Sequence, residues 1–253
     1  MHVSYSEIKL WHECPFKHKL QYIDKIDGFK GNLHTAFGTA IHSVCEQGLL
    51  DENLDREKHF LEEFAKEIIS LEDKEVEIDK SLKEQMMVQY RPIISSFRDE
   101  LDNYFGNCEV VSTEEKLYET MEEHDLNFKG YIDLVVKTPD GKYHILDWKT
   151  TSWGWDSKRK SDKIVNYQLT LYKYFWAKKH NIPLENIETH FGLLKRTAKK
   201  NNTEIFRVTS GPRKIKNALG FLEKAVINIK RNLSFKNRLS CKGCAFYKTA
   251  HCR

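Results

Sequence analysis

The sequence lacks the segments that mark membrane, secreted and repetitive proteins. None of its 253 residues belongs to an uninterrupted apolar run of about 18, so no transmembrane helix is expected. The first twenty residues carry charge throughout and contain no apolar stretch, so no secretory signal is expected either. Internal repeats and low-complexity linkers are also missing. These absences predict an intracellular protein without membrane attachment, whose residues 1–253 form a single domain.

A strong net charge is absent as well. Lys and Arg number 41 and Asp and Glu number 37, which leaves +4. With 40% hydrophobic residues the chain can build a core, and intrinsic disorder is excluded. Acidic residues concentrate in 51–84, whereas basic residues concentrate in 195–200 and 207–253. Such an uneven distribution is typical of a polyanion-binding face, and equally of a solvated lysine-rich surface.

Hydrophobic periodicity divides the chain into a helical first part and a second part that contains the strands. We predict a helix near the N-terminus that is interrupted at Cys14-Pro15, and another from Thr35 to about Leu50. Residues 51–107 are predicted as a helical insertion of two or three helices. The later elements are predicted strands at Glu109–Glu119, Asn127–Lys137, Tyr143–Lys149, Ile187–Lys195 and Thr203–Thr209, and helices at Ser161–His180 and Arg213–Asn232.

A predicted hairpin turn at 138–141 brings two carboxylates together. Asp133 and Asp147 lie seven residues to either side of Asp140, so they face each other with Cβ atoms about 5 Å apart. Lys149 projects to the same face as Asp147, because side chains alternate along a strand. Facing carboxylates repel unless a proton or a cation lies between them, and Mg²⁺ or Mn²⁺ suits oxygen ligands. A salt-bridged strand surface has the same spacing, but the apolar surroundings favour a metal site.

Cysteines form a second candidate metal site. Cys241, Cys244 and Cys252 lie within a short stretch near the end of the sequence. In a protein without a secretory signal, this clustering indicates metal ligation before disulfide formation. A tetrahedral site needs a fourth ligand, for which Cys14 and His251 are the candidates.

Several of these residues resemble the motifs of a known family. Gly130-Tyr131-Ile132-Asp133, followed by Asp147-Trp148-Lys149, resembles the GxxD…DxK core of the PD-(D/E)XK nuclease superfamily. Residues 168–172 are similar to the QxxxY helix motif of its RecB-like branch, and residues 38–42 to the GxxxH helix of that branch. The cysteines resemble the staple that binds a [4Fe–4S] cluster in AddB-type helicase–nucleases and CRISPR adaptation exonucleases; they are Cys14, Cys241, Cys244 and Cys252.

The resemblance implies a restriction-endonuclease-like α/β fold. Its core has the element order α-β-β-β-α-β around a mixed sheet, with 51–107 as a helical insertion. Residues 241–252 pair with Cys14 to staple the terminus, through a [4Fe–4S] cluster or, as the alternative, through Zn²⁺.

The resemblance also assigns catalytic roles. His42, Asp133, Asp147 and the Trp148 carbonyl are implied as ligands of a catalytic Mg²⁺ or Mn²⁺ ion. Lys149 is implied to position or activate the attacking water. The acidic residue of the first long strand is expected to be Glu115, with the adjacent Glu114 as the alternative.

DNA is the implied substrate. Gln168 and Tyr172 lie one helical turn apart and are implied to contact DNA or to brace the site. Trp153 is a candidate for stacking on unpaired bases, and core packing or loop anchoring is the alternative. Lys158 and Arg159 are candidates for phosphate contacts, and a solvated loop is the alternative.

Together these expectations predict a metal-dependent DNA nuclease. By resemblance it is a single-stranded-DNA exonuclease of recombination, repair or phage DNA metabolism, working with a helicase or recombination partner. Two other functions stay open: a non-catalytic DNA-binding subunit with the same fold, and a zinc-stapled interaction protein.

Overall fold

The computed structural model of the chain describes residues 2–26 and 28–253. Six strands form one mixed sheet, and helices cover both of its faces. The strands are β1 (His2–Ser4), β2 (Glu109–Met121), β3 (Leu126–Lys137), β4 (Tyr143–Thr151), β5 (Ile187–Lys195) and β6 (Thr203–Val208). The helices are α1 (Tyr5–Glu13), α2 (Pro15–His18), α3 (Leu33–Leu50), α4 (Arg56–Asp73), α5 (Lys80–Gln89), α6 (Arg91–Phe105), α7 (Ser157–Lys160), α8 (Lys163–His180) and α9 (Pro212–Lys230). A π-helical turn covers Lys19–Ile23, and 3₁₀ turns cover Glu122–His124, Leu184–Asn186 and Arg238–Ser240.

The predicted α-β-β-β-α-β order is present, and the sheet is mixed as expected. Strands β2, β3 and β4 form an antiparallel meander, β5 pairs parallel to β4, and β6 pairs antiparallel to β5. The predicted hairpin register is confirmed from Lys137, which pairs with Tyr143, to Leu134, which pairs with Leu146. The predicted cross-strand pair of Asp133 and Asp147 is not formed, because the pairing of the two strands ends one residue before it. The short strand β1, which pairs parallel to β3, was not predicted. Three residues are too few for an alternation pattern to be recognised.

Strand β3 has two different neighbours along one edge. Its first half, at 127–129, pairs with β1, and its second half, at 134–137, pairs with β4. Between them, residues 130–133 pair with no described strand on that edge, because β4 separates from β3 after Leu146 and continues beside β5. The sheet therefore opens into a fork where β3 and β4 part, which we call the strand fork.

Each face of the sheet has its own hydrophobic core. Helices α1, α8 and α9 cover one face, where aromatic residues such as Phe128 and Phe175 stack in parallel at 4.3 Å between ring centroids. Helices α3 to α6 cover the other face, where Phe60 and Phe97 are fully buried with Trp148 of β4. The predicted insertion at 51–107 thus contains three helices that form part of this second layer.

The start and the end of the chain meet beside the sheet. Ser240 Oγ and Asn237 Nδ2 both donate to the carbonyl of Glu13, at 2.7 and 2.9 Å. The backbone N–H of Phe16 donates to the carbonyl of Phe235 at 3.1 Å. These bonds hold residues 235–240 against the junction of α1 and α2. Among the described helices, none is long and apolar enough to cross a membrane.

Candidate active site

The strand fork brings three carboxylates from adjacent strands together. Glu114 of β2 lies opposite Asp133 of β3, between the paired residues on either side of them. Asp147 follows the last β3–β4 pair on β4. The ligand atoms of His42, Glu114 and Asp133 lie within 4.8 Å of one another, and His42 Nδ1 is 3.6 Å from Asp133 Oδ2. His42, Glu114 and Asp133 therefore lie together, and Asp147 lies close enough for its charge to raise the pKa of Asp133.

The position of His42 depends on helix α3. An N-cap interaction fixes the start of this helix: Asn32 accepts from the Thr35 N–H at 3.0 Å, and Thr35 Oγ1 accepts from the Asn32 N–H at 2.9 Å. Gly38 lies one turn before His42, and a Cβ there would come within 3.0 Å of Thr150 Oγ1 at the end of β4. The small residue thus allows α3 to lie close to the strand fork. Burial, together with the nearby Lys149 charge, lowers the pKa of His42 to about 4.

Lys149 forms an ion pair with Asp147, the most buried carboxylate of the strand fork. Its Nζ is 2.5 Å from Asp147 Oδ2, and the Asp147 side chain is only 2% exposed. Burial alone would lower the pKa of Lys149, but the Asp147 and Asp133 carboxylates raise it overall. Lys149 is therefore a persistent ammonium that faces the carboxylates.

The donor set fits a hard divalent cation. Burial and the neighbouring Asp147 charge raise the pKa of Asp133 well above its usual value, and burial raises the pKa of Asp147 and of Glu114. Asp147 Oδ2 has the Lys149 ammonium beside it but accepts no well-aligned hydrogen bond. One lysine does not neutralise three close carboxylates, so a cation or protons must complete the balance. Oxygen donors with one imidazole suit Mg²⁺ or Mn²⁺.

Glu115 is not part of this cluster, which corrects the sequence-based choice between two adjacent residues. Strand β2 shifts register between Val110 and Ser112, and Glu114 has a positive φ of 45°. Glu115 faces α8 instead, where it accepts hydrogen bonds from Trp176 Nε1 at 2.9 Å and Lys179 Nζ at 2.7 Å. The acidic residue of β2 that belongs to the strand fork is Glu114. Alternation counted from the strand ends does not reveal such an irregularity.

The cleft at the strand fork contains two further acidic residues that no motif marks. Glu46 and Glu63 line it together with His42 and Glu114. Glu46 follows His42 by four residues on α3, so helical spacing could have placed both on one face. Glu63 comes from α4 of the insertion, and sequence spacing gives no signal for it. The additional carboxylates strengthen the negative potential of the cleft.

Trp148 links the two sides of the strand fork. Its backbone N–H donates to Asp133 Oδ2 at 2.6 Å, across the gap where β3 and β4 have separated. Its ring is buried and lies across Gly192 of β5, where any Cβ would collide with the indole. Trp148 therefore fixes the backbone between Asp147 and Lys149. That its carbonyl is a metal ligand stays a prediction.

Tyr172 braces β3 from the other side of the sheet. Its ring packs over Gly130, where a Cβ would lie 2.6 Å from it, and it is only 6% exposed. Gln168 Nε2 donates to the Tyr172 hydroxyl at 3.2 Å. The GxxD motif, which begins at Gly130, thus packs directly against the QxxxY motif, which ends at Tyr172. Of the two roles implied for Tyr172, its burial favours bracing.

The residues after β4 divide between core and surface. Trp155 is buried against Phe191, whereas Trp153 is 65% exposed. Lys158 and Arg159 are both exposed, and the Arg159 guanidinium lies 4.7 Å from the Trp155 ring centroid. Trp153, Lys158 and Arg159 are therefore accessible to a ligand that reaches the end of β4.

The four predicted cysteines converge. All of them are free thiols that line one small enclosed cavity, and the backbone N–H of Asn237 donates to Cys14 Sγ at 3.4 Å. His251 is exposed and is not among the lining residues of this cavity. The converging cysteines are Cys14, Cys241, Cys244 and Cys252.

Known proteins resemble this chain in sequence profile and in fold. The family model described as the PD-(D/E)XK nuclease superfamily matches residues 2–249. A solved structure from Eubacterium rectale that bears the name "Putative exonuclease" aligns with a TM-score of 0.62 and 12% identity, covering 98% of this chain and 88% of that one. The structure named SSO0001 aligns with a TM-score of 0.46 and 12% identity, covering 97% and 83%. No curated protein matches the sequence.

Proposed function

Because the chain belongs to the PD-(D/E)XK nuclease superfamily, we propose that it is a divalent-metal-dependent deoxyribonuclease that hydrolyses single-stranded DNA from its ends. The observation that supports this proposal is the strand fork, with three carboxylates, an imidazole and an ammonium gathered on three adjacent strands and α3. A protein that only binds DNA has no need for this arrangement, because facing buried carboxylates are unfavourable without a cation.

In this proposal His42, Glu114, Asp133 and Asp147 hold the metal ion. The bound ion would supply Lewis-acid stabilisation of the phosphoryl oxygens and lower the pKa of the attacking water. Other side chains of the protein position the water and the strands. Lys149 keeps its proton beside Asp147, so we assign it to orient the water and to stabilise developing negative charge by hydrogen bonding. The Trp148 N–H holds Asp133 across the strand fork, and Tyr172 packs against β3 at Gly130.

In this proposal the four cysteines that line one cavity hold a structural [4Fe–4S] cluster, with Zn²⁺ as the alternative. Four cysteine thiolates are a ligand set that both a four-iron cluster and a zinc ion use in proteins.

The surface beyond β4 supports a path for unpaired DNA. Trp153 offers an exposed ring for base stacking, and Lys158 and Arg159 offer charge for phosphates. In this proposal, strands with free ends come from a helicase or recombination partner, and the protein acts in DNA recombination, repair or phage DNA metabolism.

The central experiment measures degradation of end-labelled DNA by the cluster-loaded protein with Mg²⁺ or Mn²⁺. We expect a ladder of short products from linear single strands, no cutting of circular single strands, and loss of activity on chelation. Asp147→Asn and Asp133→Asn should each lower the rate by at least about a hundredfold, since each removes a proposed metal ligand.

The outcomes separate the proposal from its rivals. Equal cutting of circular and linear strands would show an endonuclease. A folded wild type that binds single strands but cuts none of the single-stranded, duplex or flapped substrates would show the non-catalytic binding subunit. A protein that binds zinc and no DNA would be the zinc-stapled interaction protein.

A further inference from the structure

A second cluster of possible metal ligands lies at the other end of β4. His144 of β4 pairs in register with Glu188 of β5, and His190 follows two residues later on the same face. The two imidazoles are buried, and Glu188 is half-buried. His144 precedes Asp147 by three residues, or about 10 Å along the strand, so this cluster is separate from the strand fork.

The distances in this cluster match those of a divalent ion with nitrogen ligands. His144 Nδ1 and His190 Nε2 are 3.1 Å apart, and the ligand atoms of the three residues all lie within 4.8 Å of one another. Two imidazole nitrogens on a tetrahedral zinc ion, with Zn–N bonds of about 2.0–2.1 Å, are about 3.3 Å apart. The two nitrogens are therefore already spaced as neighbouring ligands, although one shared proton would also hold them together.

Glu188 has one carboxylate oxygen available for this cluster. Its Oε1 pairs with Arg207 Nη2 at 3.0 Å and with Lys142 Nζ at 3.6 Å, whereas its Oε2 faces His144 Nδ1 at 4.0 Å. The Arg207 and Lys142 side chains are 56% and 44% exposed, so water screens their repulsion of a cation. The ion pairs at Oε1 thus orient the carboxylate, and Oε2 points to the imidazoles.

The outer nitrogen of each imidazole also has an oxygen partner. His144 Nε2 is 2.9 Å from Thr138 Oγ1, and His190 Nδ1 is 3.3 Å from the Tyr104 hydroxyl. When these outer nitrogens carry the protons, the lone pairs of His144 Nδ1 and His190 Nε2 face each other and Glu188. Metal-binding histidines are commonly fixed in one tautomer by such partners.

We propose that His144, Glu188 and His190 form a second metal site that binds one borderline divalent cation such as Zn²⁺. Two imidazoles and one carboxylate are a ligand set that zinc uses in proteins, and water would complete the tetrahedron. Imidazole ligands favour zinc over Mg²⁺, so the site differs in metal preference from the carboxylates of the strand fork. A bound ion would join β4, β5 and, through Tyr104, the end of α6.

The test is a titration of the 253-residue chain with Zn²⁺ in the presence of excess Mg²⁺, followed by ¹⁵N NMR of the histidine rings. We expect Zn²⁺ to shift the signals of His144 Nδ1 and His190 Nε2. Glu188→Gln should weaken this binding by about tenfold or more, and Thr138→Ala by about 10–100-fold. Glu185→Gln, an exposed carboxylate on the turn before β5, is the matched control and should bind as the wild type does.

Two results would overturn the site. One is that saturating Zn²⁺ leaves both ring signals unchanged, which would mean that the histidines share only a hydrogen bond. The other is that Glu188→Gln, shown to be folded by circular dichroism, gives the same ring shifts at the same Zn²⁺ concentration as the wild type. Neither measurement depends on nuclease activity, so the outcome is independent of the proposed function.

Discussion

At the scale of single residues, Glu114 and Glu115 belong to opposite faces of β2 and have different tasks. Glu114 lies among the ligand atoms of the strand fork, whereas Glu115 lies under α8. We expect Glu114→Gln to lower the rate of DNA cleavage by at least about tenfold, because it removes a charge that would hold the metal ion. Glu115→Gln is the matched control, and assays at low temperature should show it cutting at a rate near that of the wild type. A larger loss in Glu115→Gln than in Glu114→Gln would reverse this assignment.

Glu115 should contribute to stability in a pH-dependent way. Burial alone would raise the pKa of Glu115, but hydrogen bonds from four side chains lower this pKa from 4.5 to about 2. The four donors are Lys179, Ser112, His180 and Trp176. A lowered folded-state pKa stabilises the protein above pH 4.5, and this contribution is lost as the pH falls towards 2. Glu115→Gln should therefore lower the free energy of unfolding by about 2–3 kcal/mol near pH 6, and by about half as much near pH 3. Urea unfolding at both pH values measures the difference, and an equal loss at both would contradict the prediction.

At the scale of single elements, the contact between β4 and β5 should be sensitive to one added methyl group. Gly192→Ala places a Cβ into the Trp148 ring, so the indole and the backbone beside Asp147 must move. We expect a stability loss of about 1–3 kcal/mol and a lower cleavage rate. Gly220→Ala in α9, where a Cβ meets no atom within 4 Å, is the control and should stabilise the protein slightly. Thermal unfolding and cleavage assays compare the two, and equal effects would contradict the role of the Trp148 contact.

The strands of the meander could be predicted from the sequence because local signals determine them. The turn at 138–141 sets the register of β3 and β4, and the structure confirms that register. The separation of β4 from β3 has no local signal, since it arises from the pairing of β1 with β3 and of β4 with β5. The register shift between Val110 and Ser112 of β2 likewise has no local signal in the sequence.

At the scale of the whole molecule, the cysteine cavity should stabilise the junction of the two ends of the chain. If the cavity holds the proposed iron–sulfur cluster, an anaerobic preparation is brown, and we expect Cys241→Ser to abolish this colour because one ligand of the proposed cluster is lost. A loss of about 2 kcal/mol would lower the thermal midpoint by about 4–8 °C. Cys108→Ser, which changes a half-buried thiol outside the cavity, is the control. Wild-type colour and thermal stability in Cys241→Ser would contradict the metal staple.

The arrangement of the helical layer could not be predicted from the sequence. Periodicity predicted two or three helices in 51–107, and three are present, but no pattern showed that Phe60 and Phe97 would join Trp148 in one core. Which surface an amphipathic helix covers depends on the other elements of the fold. The cluster of His144, Glu188 and His190 was missed for a similar reason, because its residues meet only through the parallel pairing of β4 and β5.

The meeting of Cys14 with residues 241–252 determines the order in which the protein can mature. The ribosome makes Cys14 early and the other lining cysteines more than about two hundred residues later, so at about 5–20 residues per second the first thiol waits for many seconds. During that interval the sheet, with its carboxylates, can already form. Closure of the cavity therefore follows the synthesis of residues 241–252. Until then, a newly made chain can have a complete sheet while Cys14 has not yet met the other three cysteines.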